Sequence, residues 1–72
     1  MSQEQEIIFM QVRLFKMAQE KWGIDFNRCS DLFKRYNIFE YISEAYELFH
    51  IQGDEANLTE IETYLGEKGV AV

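Results

Sequence analysis

QEQEIIFMQVRLFKMAQEKW, residues 3–22, runs without a breaker until Gly23, where a helix ends readily with a left-handed cap. Set out at 100° per residue, Ile7, Ile8, Met10, Val12, Leu14, Phe15, Met17, Ala18 and Trp22 occupy well over half of the helix circumference. So broad an apolar arc predicts a central helix, wrapped by other helices or shared with a second copy. The remaining polar stripe holds Arg13, Lys16 and Glu20, and Phe9 falls among them. Phe9 is therefore either an ordinary scattered surface residue or, with Met10 and Met17 on the adjoining edge, the anchor of an interface.

Outward from this helix the chain reads as three shorter ones. Asp25 can cap a second helix over residues 26–36, where Phe26, Cys29, Leu32, Phe33 and Tyr36 recur along one face. Asn37 stops it, and a third helix is expected over 38–50. Ile38, Ile42, Ala45 and Phe49 would point inward, Tyr41 and Leu48 would flank them, and Glu40, Ser43, Glu44 and Glu47 would face out. Gln52-Gly53-Asp54 supplies a turn in which Gly53 can take positive φ and Asp54 can cap a fourth helix over 55–68. That helix points Leu58, Ile61, Tyr64 and Leu65 inward and ends at Gly69, leaving Val70 to Val72 frayed. Connections this short fold neighbouring helices back on one another. The expected fold is all-α: one domain over residues 1–72, a compact four-helix arrangement around a long, centrally packed first helix.

Composition narrows the chemistry. A chain of 72 residues buries only about 60% of its unfolded surface, so small domains add disulfides, a metal or a partner. Cys29 is the only cysteine, which excludes an intrachain bridge and fits a reducing compartment; a cytoplasmic location is expected. His50 is the only histidine, and no cofactor or metal framework is expected. Glu4 and Glu6 stand where a secretory signal would carry basic residues, and no apolar run is long enough to span a membrane. A partner, or a second copy, remains.

Charge is unevenly spread. Met1 to Tyr36 balances at +1, whereas Asn37 to Val72 sets Glu40, Glu44, Glu47, Asp54, Glu55, Glu60, Glu62 and Glu67 against Lys68 alone, a balance of −7 within the total of −6. The surface should be bipolar, with Arg28, Lys34 and Arg35 on the second helix and carboxylates on the third and fourth. A helix-turn-helix reading of the second and third helices fails here, because Glu40, Glu44 and Glu47 would meet phosphates; no nucleic-acid partner is expected. The acidic face suits a basic partner or mimicry of nucleic acid, against the plainer reading of a solubilising surface.

Two catalytic or metal patterns can be written down. Glu47-x-x-His50 has the spacing of carboxylate-bridged di-metal bundles, but one pair at the solvent side would need a symmetric dimer to complete a site. A Cys29/His50/Asp54 nucleophile system has no supporting motif, and Cys29 on an apolar stripe reads as a small buried hydrophobe. The isolated glycines form no phosphate loop.

Through EIIFMQVRLFKMAQEKWGI, FEYISEAYELFHIQGDEA and IETYLGEKG, nearly the whole chain resembles a family of short bacterial all-helical proteins catalogued as a domain of unknown function. Relatives often carry Ser and Glu after the Gly-Ile; here Asp25, Asn27 and Arg28 keep the cap and lose the reciprocal glutamate bond. Members are often encoded beside putative ADP-ribosyltransferase-like proteins, an arrangement similar to a toxin and its antidote. The resemblance thus implies a protein partner of that enzyme class and no catalytic residue. Three functions are carried forward. The first is a non-catalytic, antitoxin-like interaction module using Phe9, Arg13, Lys16, Glu40, Glu44 and Glu47. The second is a homo-oligomer, such as a homodimer, assembled through the first helix, and the third is a dimeric metal-binding bundle.

Overall fold

In the computed structural model, which describes residues 2–72, the first helix, α1, spans Gln3–Trp22 and starts where the sequence supplies a cap. The Ser2 hydroxyl accepts from the Gln5 backbone N–H at 3.2 Å while the Gln5 side chain accepts from the Ser2 N–H at 3.4 Å, satisfying two otherwise orphaned donors. Glu4 and Glu6 in the first turn suit the positive end of the helix dipole. At the far end Gly23, at φ 63°, sends its N–H to Glu20, and Ile24 donates back to Gln19. This pair of hydrogen bonds from the residues after the helix is the Schellman termination expected of a left-handed glycine.

Asp25 then caps α2 (Phe26–Arg35), its carboxylate accepting from the Arg28 N–H at 2.7 Å. Asn37, the one non-glycine at positive φ among the described residues, ends it and turns the chain into α3 (Ile38–Glu44). Asn tolerates this conformation better than other side chains. The helix expected over 38–50 is instead divided. Ala45, with ψ near 7° where a helix needs about −42°, separates α3 from α4 (Tyr46–Gln52). Five helices result among the described residues, not four. Across the interruption Phe49 stays in the core as expected, Tyr46 joins it, and Leu48, expected as a flank, is 54% exposed.

Gly53 adopts φ 89°, ψ 163°, a region open essentially only to glycine, and this sharp corner leads into α5 (Asp54–Glu67). Asp54 does not cap α5 as expected; it lies inside the first turn with its carboxylate turned to Arg13 of α1. Gly69 repeats the glycine termination, with Val70 donating to Leu65 at 2.9 Å. Val70 is accordingly half-buried against the core where fraying was expected.

The core draws on every helix: Leu14 and Ala18 from α1, Cys29 and Phe33 from α2, Ile38 and Ile42 from α3, Tyr46 and Phe49 from α4, and Leu58, Ile61 and Leu65 from α5. Phe33 sits at its aromatic centre, with Phe15 edge-on at 5.0 Å and Phe39 at 5.0 Å. Long-range hydrogen bonds then serve carbonyls that helix ends leave free. Tyr64 of α5 donates to the Tyr36 carbonyl at the end of α2 (2.8 Å), and the buried Asn57 amide donates to Phe49 of α4 (2.9 Å). α1 packs against α2, α3 and α5, as a central helix should. Its cover is nonetheless incomplete: Ile8, Phe9 and Val12 are about half exposed.

Candidate protein-interaction surface

The residues nominated from sequence fall into two groups. Phe9, Arg13 and Lys16, at i, i+4 and i+7, run along the outer side of α1, and all are exposed. Glu40 and Glu44 of α3 and Glu47 of α4 are exposed as well. Among the described residues no ion pair joins the groups. Arg13 instead forks onto Asp54 of α5, at 3.0 and 3.4 Å.

The acidic side has a local electrostatic signature. Tyr41 of α3 stacks on Tyr64 of α5 with centroids 4.5 Å apart. Burial raises the Tyr41 hydroxyl pKa above its ordinary value, and the fields of Glu60 and Glu67 push it further the same way. Tyr46 behaves similarly: burial comes first, then its hydrogen bond to Glu6 at 3.2 Å and the charges of Glu6 and Glu47. Negative potential therefore spreads over α3, α4 and α5.

Beside Phe9 and Lys16 lies a feature that periodicity missed. A groove of about 320 Å³ opens between α1, α2 and α3, walled by Val12, Phe15, Phe26 and Phe39, with Lys16, Gln19 and Ser30 as its polar members. Phe15 forms its floor, its ring 5.4 Å from Phe26 and 6.1 Å from Phe39. The helical wheel counted Phe26 as an inward residue of the second helix, yet it is 62% exposed. It belongs to the first turn of α2, where it meets the rim of Phe15 but lies short of the packed centre around Phe33. A second apolar feature, Leu48 with Ile51 on α4, was also missed; Ile51 is 81% exposed and had no place on the inward stripe.

The other patterns come apart. Cys29 is fully buried with Sγ 3.8 Å from the Phe15 carbonyl, and burial pushes its thiol up to about 11. His50 is exposed and stacks on Tyr46 at 5.4 Å, while Asp54 is held by Arg13, so Cys29, His50 and Asp54 form no relay. Glu47 and His50 stand on the exposed side of α4, and among the described residues no three His, Cys, Asp or Glu side chains converge to hold a metal. No helix among the described residues is long and apolar enough to cross a membrane.

No curated protein and no solved structure matches the chain. Residues 9–68, from Phe9 on the outer side of α1 to Lys68 just beyond α5, match the family described as Protein of unknown function (DUF3791), and the chain belongs to that family.

Proposed function

We propose that this chain is a non-catalytic protein-interaction module, an antitoxin-like neutraliser that sets the carboxylates of α3, α4 and α5 against a basic surface of a partner enzyme. One observation carries the reading. Among the described residues the ion pairs engage Asp31, Asp54 and Glu62, which leaves Glu40, Glu44, Glu47, Glu55, Glu60 and Glu67 exposed with no cation bound to them. Lys68, the only lysine or arginine of this half, lies over the Tyr64 ring, 5.4 Å from its centroid. A field of one sign that is not neutralised internally accelerates encounter with a surface of opposite sign and repels acidic competitors.

The resemblance implies genes encoded beside putative ADP-ribosyltransferase-like proteins, which makes an enzyme of that class the first partner to test. In a pull-down from the native host, the triple variant Glu40→Lys, Glu44→Lys, Glu47→Lys is expected to lose a partner that the unaltered chain retains. Retention should also weaken as salt rises. Equal recovery of that partner by both proteins refutes the electrostatic reading.

A further inference from the structure

The groove between α1, α2 and α3 and the exposed edge of α4 are complementary surfaces, and within one copy they do not meet, since neither Leu48 nor Ile51 lines the groove. We propose that a second copy of this chain seats its Leu48–Ile51 edge in the groove of the first. Leu48 and Ile51 lie three residues apart on one side of α4 and are 54% and 81% exposed, so the edge projects a pair of branched aliphatic side chains. The groove offers a wall of one valine and three phenylalanines in about 320 Å³. That volume equals roughly ten waters at ~30 Å³ each, room for two such side chains.

Charge selects the same pairing. Glu44 and Glu47 flank the α4 edge, and Lys16 is the charged residue of the groove. Docking therefore sets Glu44 and Glu47 of one copy beside Lys16 of the other, whereas α1 against α1 would set Lys16 and Arg13 against their own kind. The net charge of −6 on each copy opposes association at long range, but at ~0.15 M salt the screening length is about 8 Å, and contacts at the interface outlast that repulsion. Reciprocal use of the two surfaces closes a two-fold dimer, and one-way use is heterologous and builds a ring or an open chain. It shares Glu44 and Glu47 with the heterotypic reading above, and only self-association uses the groove and Ile51, so Ile51→Lys and Val12→Glu test it apart from that reading.

Sedimentation velocity across the micromolar to millimolar range tests it. Association is expected for the unaltered chain, and both Ile51→Lys and Val12→Glu should raise the dissociation constant at least about tenfold. Both positions are exposed, so far-ultraviolet dichroism should show unchanged helix content. Mixing the two variants is the decisive arm: the Val12→Glu copy keeps its Ile51 and the Ile51→Lys copy keeps its groove, so one intact contact returns and the mixture regains mass. As a second arm, Lys16→Glu should weaken association and Lys16→Glu with Glu47→Lys should restore it. A chain that stays strictly monomeric, an Ile51→Lys variant that associates as well as the unaltered chain, or a mixture no heavier than its parts each overturns the proposal.

Discussion

The Trp22 indole Nε1 donates to Glu62 Oε2 at 2.8 Å, tying the last turn of α1 to the middle of α5. Lys21 closes on the same carboxylate at 3.1 Å, so one acidic side chain serves two donors from consecutive residues. A hydrogen bond to a charged acceptor contributes roughly 1.5–3 kcal/mol when dry, and partial exposure of Glu62 lowers that to about 1–2 kcal/mol. Glu62→Ala is therefore expected to lower Tm by roughly 5–15 °C, at about 4–8 °C per kcal/mol for a domain of this size. Glu62→Gln keeps an acceptor for the indole and should lose less than half as much. Thermal unfolding followed by the emission of Trp22, the only tryptophan, measures both.

Asn57 is the buried polar side chain of the core, fully enclosed, with its amide on the Phe49 carbonyl. Phe49 lies in the last turn of α4, so its carbonyl has no partner within that helix and depends on Asn57. Asn57→Ala leaves the carbonyl buried and unsatisfied and opens a cavity, at a cost of about 2–4 kcal/mol. Asn57→Asp should be worse at neutral pH than at pH ~4. The buried carboxyl would have a folded pKa raised above its unfolded value near 3.9, so the variant regains stability relative to the unaltered chain as pH falls toward that value. Urea unfolding at the two pH values reads the difference; an equal deficit at both would contradict the buried-carboxyl account.

The sequence exposes those parts of the fold that depend on short-range rules. Gly23, Asp25, Asn37, Gly53 and Gly69 mark helix ends because each supplies a cap or a positive φ locally, and the structure uses all five. The inward stripes of α2 and α5 follow from spacing alone, apart from Phe26. The break at Ala45 had no such marker: alanine is the best helix former, and the interruption reflects α4 turning to pack on α5. Beside it the local assignments fail, so Tyr46 is buried unannounced and Leu48 is exposed, while Phe49 keeps its expected place in the core. On α1 the wheel identified the apolar arc correctly, yet how much of it neighbours cover depends on their number and placement. The groove is a property of three helices together, so no single-segment periodicity contains it.

Cys29 gives a prediction with a defined pH window. Its folded thiol pKa is raised to about 11 from 9.0, so the folded state holds the proton where the unfolded chain releases it. The stability this contributes is complete below pH 9 and is lost as pH rises through about 11. Tyr41 and Tyr46 are raised too and act in the same direction, so the unaltered chain alone would not isolate the thiol. The comparison is with Cys29→Ala: between pH 9 and about 11 its stability should fall less steeply. A thiol reagent at neutral pH should label the native chain only as fast as it unfolds, since Cys29 is fully buried.

Salt should stabilise this protein, the reverse of what a fold held by surface ion pairs would show. Arg13–Asp54, Lys21–Glu62 and Arg35–Asp31 are partly or largely exposed, and each such pair contributes only about 0–1 kcal/mol. Against them stand the unpaired carboxylates of the −7 half, spread over α3, α4 and α5, which repel at every separation within the screening length. That length falls from about 30 Å at ~0.01 M to about 10 Å at ~0.1 M, against a molecule of 33 × 22 × 19 Å. Repulsion across the whole acidic half is thus cut strongly while contacts of 3–4 Å are weakened little. Tm is expected to rise by several degrees over this range and then to level off. Glu44→Gln with Glu60→Gln and Glu67→Gln should raise Tm at low salt and flatten the dependence. A Tm that falls with added salt, or a triple variant with the unaltered slope, would show that the ion pairs outweigh the carboxylate field.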